Sequence, residues 1–380
     1  MSWFGIRRKV EPPRADSNLP RTRLGAMRED AQRFAGLTDA RVLIYWPHGL
    51  GDWAQLGSIA GLLEPSNRYA ITRFGDDYVS LMDNHPTLMP LYSGVRQPGD
   101  GERQGACNFG ITIDQCDGGR VELALPPPLD EAVGAFAPEA LLWTDFPETE
   151  GRTPYPFHTK ARNLLRALVD PQRLPSFDLS APLRSSIDFV PSAHVMREVE
   201  TRLSALAPPG SRLAIVSRTG YSAARKNWGD GSQAREFVRR LRRDDPSWRT
   251  ISMDEDDLGD GAAGFRALFG DSAEPFARLY KALAARTELF VGVPAGPLHV
   301  TMARGGIPVV GLWMAHHPDW YDEPNAEAIH LVSRFVRDRG FDRRPATTSK
   351  PASLRHRTTY LDAVEIAADD VMGAAREALR

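Results

Sequence analysis

The amino-acid sequence predicts an α/β protein built from two doubly wound, Rossmann-like domains that face each other across a cleft. At 380 residues, the chain exceeds the size of one ordinary hydrophobic core and indicates about two domains. Short apolar runs typical of buried strands alternate with helical segments in two separate blocks. A proline-punctuated stretch from Phe177 to Pro209 connects the blocks. In open sheets of this kind, ligands bind beyond the carboxyl ends of the strands.

The first block follows an Arg- and Pro-rich extension, residues 1–38, and forms the predicted N-terminal domain, residues 39–190. An apolar strand runs into a glycine-containing turn, and a helix follows from Asp52 to about Leu63. This order of strand, turn and helix favours a parallel sheet with crossover helices. The predicted strands are Val42–Trp46, Tyr69–Phe74 and Phe109–Ile113.

The second block forms the predicted C-terminal domain, residues 191–359, and repeats the same alternation. Its predicted strands are Leu213–Ser217, Arg249–Met253, Leu289–Val293 and Pro308–Trp313, and its predicted helices are Gln233–Leu241, Phe276–Ala285 and Pro297–Arg304. An amphipathic helix, about Leu361–Leu379, follows this block. It belongs to a segment, residues 360–380, for which a return to the first domain is left open.

Composition and charge narrow the class of protein. The formal net charge of −2 gives nucleic acid no overall electrostatic attraction. The two cysteines, Cys107 and Cys116, cannot form a four-cysteine metal site, and we expect free thiols in a reducing cytoplasm. No apolar run approaches the ~20 residues of a membrane helix. The opening stretch, with Trp3 and Phe4 before three basic residues, allows at most peripheral contact with the inner face of a membrane, and a frayed tail is the alternative.

The first candidate motif is Gly-Leu-Gly-Asp, where a predicted strand turns into a helix. Gly49 and Gly51 allow a sharp turn and close approach of the backbone to a ligand. Asp52 lies at the carboxyl edge of the strand, where a carboxylate could accept a proton from a hydroxyl. A helix cap with no catalytic role is the alternative. The absence of a G-x-G-x-x-G fingerprint disfavours dinucleotide chemistry.

Two further polar segments follow predicted strands of the second block. Ser217, Thr219 and Lys226 can each donate a hydrogen bond to phosphate, although an exposed loop of ordinary polar residues would look the same. Asp254 and Glu255 follow the next strand, where an acidic residue can bind a ribose hydroxyl. A solvated acidic loop is the alternative for this pair.

A fourth motif places Pro-Ala-Gly-Pro between two apolar strands. The turn at Gly296 begins a short helix, and the unpaired N–H groups of a helix start attract phosphate. The motif residues there are Gly296, Pro297, Leu298 and His299. A packed corner between two strands, in which small residues only permit close approach, is the alternative.

A predicted helix in the first block carries three basic residues on one face. His158, Arg162 and Arg166 recur every four residues, so their mutual repulsion favours an anionic partner. A solvated basic face is the alternative. A metal site is not predicted, because the adjacent His316 and His317 diverge and no third ligand is evident.

Taken together, the motifs resemble the GT-B glycosyltransferases of the ADP-heptose:lipopolysaccharide heptosyltransferase family, glycosyltransferase family 9. That family carries a GxGD turn, a K-x-W loop and a D-S/T-G-x-x-H-x-A segment followed by G-x-P. This chain has Gly-Leu-Gly-Asp at 49–52, Lys-Asn-Trp at 226–228 and Pro-Ala-Gly-Pro-Leu-His from 294, in the same order. The resemblance covers about residues 40–380.

The resemblance implies an inverting, metal-independent sugar transfer, and we expect the enzyme to be cytoplasmic. Asp52 would be the catalytic base, and Lys226 with the helix start at Gly296–His299 would stabilise the leaving nucleotide diphosphate. The remaining donor-site residues would be Gly51, Ser217, Thr219, Asp254 and Glu255. No cofactor is implied beyond a nucleotide-diphospho-sugar donor, ADP-linked and with heptose as a candidate sugar.

For the acceptor, the resemblance implies an anionic cell-envelope glycan or glycolipid on His158, Arg162 and Arg166. The chain departs from the family where Pro294 and Ala295 replace the usual acidic and hydroxyl residues. A catalytically silent nucleotide-sugar- or partner-binding protein is therefore the alternative. Another reaction, such as epimerisation or hydrolysis, is a third possibility.

Overall fold

A computed structural model of the chain describes most of the sequence. The described residues are 21–24, 38–46, 48–60, 63–73, 75–95, 112–116, 120–143, 187, 189–220, 226–254, 258–315, 318, 328–338 and 357–380. Within them the predicted α/β class is confirmed, because parallel strands alternate with helices in both halves of the chain. The boundaries between the domains stay predictions.

Strands and helices are numbered in chain order. The strands are β1 (Arg21–Leu24), β2 (Arg41–Tyr45), β3 (Arg68–Thr72), β4 (Leu88–Pro90), β5 (Thr112–Cys116), β6 (Arg120–Ala124), β7 (Ala140–Trp143), β8 (Arg212–Ser217), β9 (Trp248–Ser252), β10 (Ala262–Gly264), β11 (Leu289–Gly292), β12 (Val309–Trp313), β13 (Ala328–Val332) and β14 (Arg357–Tyr360). The helices are α1 (Leu50–Ile59), α2 (Asp76–Val79), α3 (Pro127–Phe136), α4 (Ala193–Leu203), α5 (Ser232–Asp244), α6 (Phe265–Phe269), α7 (Phe276–Ala285), α8 (Gly296–Arg304), α9 (Arg334–Asp338) and α10 (Ala368–Ala378), with a 3₁₀ turn at Ser80–Met82.

The first half is organised around a four-stranded parallel sheet in the order β4-β3-β2-β7. Its strands are nearly continuous apolar runs, as expected for a parallel sheet covered on both faces. Alternate residues of β2 enter different clusters: Val42 and Ile44 pack on one face, Leu43 and Tyr45 on the other. This burial fixes the register of β2 and thereby the position of the turn that follows it.

The second half contains a seven-stranded parallel sheet in the order β10-β9-β8-β11-β12-β13-β14. Strand β8 lies in its interior, with Leu213 and Ile215 in one apolar cluster and Ala214 and Val216 in the other. The chain enters β8, β9, β11 and β12 in the predicted order, so the loops after β8, β9 and β11 meet at one edge.

Three local expectations differ from the structure. The predicted strand Phe109–Ile113 is instead β5, and it belongs to a separate antiparallel sheet with the order β1-β6-β5. The proline-punctuated connection contains a regular helix, α4, which packs against α7. The C-terminal helix begins at Ala368 and packs against α5, β12 and β13, so its described contacts are with the second half.

The two halves share part of their hydrophobic core. One apolar cluster contains Trp53 of α1 together with Phe290 and Leu298 of the second half. Helix α1 packs directly against α8, and α7 packs against α2 and the 3₁₀ turn after it. Polar contacts follow the same seam, since Asp77 Oδ1 accepts the Phe276 N–H at 3.2 Å. The carboxyl ends of β2 and β11 are therefore brought together.

Candidate functional site

The turn after β2 carries the predicted catalytic aspartate. Helix α1 begins at Leu50, two residues earlier than predicted, with Gly49 as its N-cap. Asp52 is therefore inside the first turn, where its Oδ2 accepts the Gly49 N–H at 3.1 Å and its own N–H donates to the Gly49 carbonyl at 2.9 Å. The residue is 8% exposed. The aspartate thus caps its own helix, and capping and catalysis can coexist in this geometry.

The turn after β11 begins α8 at Gly296. The N-cap residue, Ala295, has no side-chain acceptor, and Pro297 has no N–H, so the N–H groups of Gly296 and Leu298 have no side-chain cap. The hydroxyl of Tyr280 donates to the carbonyl of Pro297 at 3.1 Å and fixes the first turn. Burial raises the pKa of Tyr280 and keeps this donor protonated.

These two turns meet across the seam between the halves. A Cβ atom added to Gly51 would lie 2.7 Å from Cδ2 of His299, and one added to Gly296 would lie 2.8 Å from Cβ of Leu50. Only glycine allows approaches this close without a shift of the neighbouring side chain. His299 is 3% exposed and packs beside the residue that precedes Asp52. Two motifs that are more than two hundred residues apart in the sequence are therefore in direct contact.

The loop after β8 adjoins the same helix start. Ser217, the last residue of β8, is buried and pairs in register with Gly292 of β11. Its carbonyl accepts the Val293 N–H at 2.9 Å, one turn before α8. A Cβ at Gly292 would come within 2.8 Å of this carbonyl oxygen. The backbone after β8 is therefore held against the turn that begins α8.

The Lys-Asn-Trp motif, residues 226–228, packs against this loop and hydrogen-bonds to it. Lys226 is buried and packs over Gly220, where an added Cβ would lie 3.1 Å from its Cβ and Cδ atoms. Asn227 Oδ1 accepts the Gly220 N–H at 3.0 Å. Trp228 donates its backbone N–H to Arg218 and its indole N–H to the Ile366 carbonyl, each at 2.8 Å. All three motif residues thus have a structural contact, and Lys226 is in addition a predicted phosphate ligand.

Asp254, after β9, holds the same loop from the other side. Its Oδ2 accepts the N–H groups of Arg218 at 2.6 Å and Thr219 at 3.3 Å. Its Oδ1 accepts the Thr219 hydroxyl. The sequence predicted a ribose contact for Asp254 and a phosphate contact for Thr219. In the structure these two residues instead bind each other, so Asp254 holds the loop after β8 in place.

The remaining predicted residues cannot be placed in this arrangement. Glu255 and the acceptor residues His158, Arg162 and Arg166 lie outside the described residues, and so do His316 and His317. Across the part of the chain that is described, no group of three or more His, Cys, Asp or Glu side chains could hold a metal ion. Within the same part, no helix is long and apolar enough to cross a membrane.

One buried residue beside the site was not predicted. Arg73 directly follows β3 and is 1% exposed, and its Nη1 donates to the His48 carbonyl at 2.8 Å, just before the Gly49 turn. Its position in the sequence could have identified it, because Arg73 is a charged residue at the carboxyl end of a buried strand, and ligands bind at that edge of a parallel sheet.

Comparisons with known proteins support the fold. No protein-family model matches the chain, and no curated protein sequence matches it. The chain is similar in structure to a glycosyl transferase of family 9 from Veillonella parvula DSM 2008, at 14% identity over 91% of this chain and 98% of that chain, with a TM-score of 0.51. It is also similar to the E. coli ADP-heptose LPS heptosyltransferase II, at 13% identity over 89% and 98%, with a TM-score of 0.51. The predicted GT-B fold is thereby confirmed.

Proposed function

We propose that this chain is an inverting, metal-independent glycosyltransferase that moves a sugar from a nucleotide-diphospho-sugar to an acceptor hydroxyl. The observation that carries the proposal is the meeting of the Asp52 turn with the start of α8 at Gly51 and His299. A carboxylate and a set of backbone N–H donors are thus on adjacent elements. The fold shared with two glycosyltransferases supports the same reaction class.

Asp52 is the proposed general base. In an inverting transfer the acceptor oxygen attacks the anomeric carbon, the bond from that carbon to the diphosphate oxygen breaks, and the hydroxyl proton leaves. A carboxylate next to the acceptor can take this proton. The hydrogen bond from the Gly49 N–H to Oδ2 sets the orientation of the carboxylate before substrate arrives.

The start of α8 and Lys226 are proposed to stabilise the leaving nucleotide diphosphate. Negative charge grows on the phosphate as the glycosidic bond breaks, and fixed donors aimed at that charge lower the barrier. The N–H groups of Gly296 and Leu298 and the partial positive charge of the helix start suit this role. Ser217 adjoins the same turn through its backbone. We propose that Asp254 acts indirectly, by holding Thr219 and the loop that carries Lys226.

The donor and acceptor are proposed from resemblance. ADP is the nucleotide we favour, because the E. coli protein with the same fold is named for ADP-heptose. The acceptor we favour is an anionic cell-envelope glycan or glycolipid, bound by His158, Arg162 and Arg166. Such an acceptor would place the enzyme in the cytoplasm, at the inner face of the membrane.

A binding protein without catalysis is the second candidate. The observation that favours it is Ala295, which occupies the N-cap position of α8. Its methyl side chain cannot contact the donor as a hydroxyl would. Such a protein would bind a nucleotide sugar, or a partner, and release it unchanged.

The test combines binding and turnover on the purified chain. Thermal unfolding is measured with ADP, UDP, GDP, CDP and dTDP, with magnesium and with a chelator. A ligand at about 100 times its dissociation constant should stabilise the fold by roughly 2.7 kcal/mol. The corresponding nucleotide sugar is then incubated with candidate acceptors. Stabilisation by one nucleotide together with sugar transfer supports the enzyme, and stabilisation without transfer supports the binding protein. If no nucleotide stabilises the fold and no sugar is transferred, both candidates are rejected.

A further inference from the structure

The buried cation Arg73 has no role in the function proposed so far. Its guanidinium lies 4.5 Å from the centroid of the Tyr78 ring, in addition to its bond with the His48 carbonyl. Burying a charge costs free energy unless its contacts compensate for lost water. An apolar side chain would therefore fill this position at a lower desolvation cost. Among its contacts, the arginine supplies a directed N–H donor to the His48 carbonyl, next to the Asp52 turn.

The carbonyl that Arg73 contacts belongs to the peptide group joining His48 to Gly49. The N–H of that same peptide group donates to Oδ2 of Asp52 at 3.1 Å. A trans peptide is planar, with its C=O and N–H pointing in opposite directions. Arg73 therefore binds one end of the rigid unit whose other end binds the aspartate. Hydrogen bonds in such a chain also polarise one another.

Arg73 also connects this peptide group to the seam between the halves. The Tyr78 ring beneath the guanidinium belongs to α2, and the preceding residue, Asp77, accepts the Phe276 N–H of α7. Helix α7 in turn supplies Tyr280, which fixes the first turn of α8. A single set of contacts thus runs from the Asp52 turn to the second half.

We propose that Arg73 is a positioning residue for the Asp52 carboxylate, acting through the His48–Gly49 peptide group. It fixes the plane of that peptide and so the direction from which the Gly49 N–H meets Oδ2. It does not touch the substrate in this role. The kinetic part of the proposal rests on the proposed function, because it takes Asp52 as the base, whereas the structural part does not.

The experiment compares Arg73→Met and Arg73→Lys with Arg249→Met, a control for the loss of an arginine that donates to backbone carbonyls. Arg249 also donates to backbone carbonyls, those of Leu206 at 3.0 Å and Pro246 at 2.8 Å, but it lies on β9, away from the turn. Backbone amide hydrogen exchange is followed for the peptide covering Gly49–Gln55. The turnover number, kcat, and the dissociation constant of the nucleotide are measured in parallel.

We expect Arg73→Met to speed exchange in the Gly49–Gln55 peptide by about tenfold or more while the second half keeps its protection. Because a displacement of about 1 Å can cost ~100-fold in rate, kcat should fall by about 10- to 100-fold with an unchanged nucleotide dissociation constant. Arg73→Lys should lie between, since lysine can still donate to the carbonyl but lacks the planar fork. Arg249→Met should leave the peptide protected.

Unchanged exchange in this peptide in folded Arg73→Met would overturn the proposal. So would faster exchange spread evenly over the first half, because a general packing defect would then explain it. If Arg73→Met does not fold, Arg73→Lys decides by the same two readouts. If the wild-type chain transfers no sugar, the proposed function fails alone, and the exchange result still decides the role of Arg73.

Discussion

Two aspartates hold two turns, one in each half, and they do so over different distances along the chain. Asp52 accepts an N–H from Gly49, only three residues earlier, within the turn that it belongs to. Asp254 accepts N–H groups from Arg218 and Thr219, about 35 residues earlier, and so joins two different strand ends. Asp52 belongs to the candidate site itself, whereas we propose that Asp254 supports the site by holding the loop after β8. The same residue type at a strand end therefore need not have the same role.

The largest expected effect is a loss of turnover when Asp52, but not its hydrogen bond to Gly49, is removed. Asp52→Asn keeps an oxygen that can accept the Gly49 N–H, so the turn should persist while the base is lost. Turnover should fall by about 10²- to 10⁴-fold, with the nucleotide dissociation constant unchanged. Steady-state kinetics and calorimetric binding measure the two quantities. Turnover close to that of the wild type would remove Asp52 from the mechanism.

The next largest effect is a loss of stability when Asp254 is removed. Asp254→Ala leaves three part-buried donors, from Arg218 and Thr219, without their acceptor, and the free energy of unfolding should fall by about 1–3 kcal/mol. Nucleotide affinity should weaken along with it, because the loop loses its shape. Asp254→Asn is the control, since its amide oxygen can still accept an N–H, and it should lose less. An affinity loss in Asp254→Ala without any loss of stability would instead indicate a direct ribose contact.

A third measurement tests the contact on which the meeting of the two turns depends. Gly51→Ala would place a methyl group 2.7 Å from the His299 ring, so the seam must shift. We expect a loss of about 1–3 kcal/mol in unfolding free energy. Gly134→Ala is the matched control, because α3 has open space at that position and alanine should stabilise it by up to about 1 kcal/mol. Equal stabilities of Gly51→Ala and the wild type would contradict the close contact.

The smallest effect concerns the helix behind the first turn. His85 meets the Gly57 carbonyl of α1 through Nε2 at 3.1 Å, and burial, with a lesser contribution from Lys281, lowers its pKa. A histidine with a lowered pKa stabilises the fold above its unfolded pKa of about 6.5, and the contribution is lost as pH falls through the folded pKa.

Denaturant unfolding of the wild type and His85→Asn between about pH 8 and pH 5 checks this sign. The difference in unfolding free energy should shrink below about pH 6.5, by at most about 1.4 kcal/mol per pH unit. A difference that is constant with pH would show that His85 does not couple the fold to protons.

The sequence could predict what depends on local pattern. Apolar runs bounded by glycine and proline placed the strands before both turns to within one or two residues, because burial fixes register along a strand. The motif residues Gly51, Lys226 and His299 were singled out through the motifs that carry the family resemblance, and their roles stay predictions. Helix α4 carried a usable signal as well, since Val195, Val199 and Leu203 recur every four residues.

What depends on distant contacts could not be predicted. The antiparallel pairing of β1 with β6 joins segments about a hundred residues apart, and nothing in either segment names its partner. The hydrogen bond between Asp254 and Thr219 depends on which strands are neighbours in the sheet, and so could not be predicted. The same holds for the peptide group that Arg73 and Asp52 both contact. The acceptor residues remain predictions, because they lie outside the described part of the chain.

The bond from the Trp228 indole to the Ile366 carbonyl spans 138 residues and has a consequence for synthesis. A chain emerging from the ribosome can pair β2 with β3 early, but the loop carrying Lys226 lacks this support until Ile366 has been made. Residues near Ile366 add a second tie, since the Ala368 N–H donates to Gln233 at 2.8 Å. The nascent protein would therefore complete the Asp52 turn well before the loop that carries Lys226, which gains this support only after Ile366 has been synthesised.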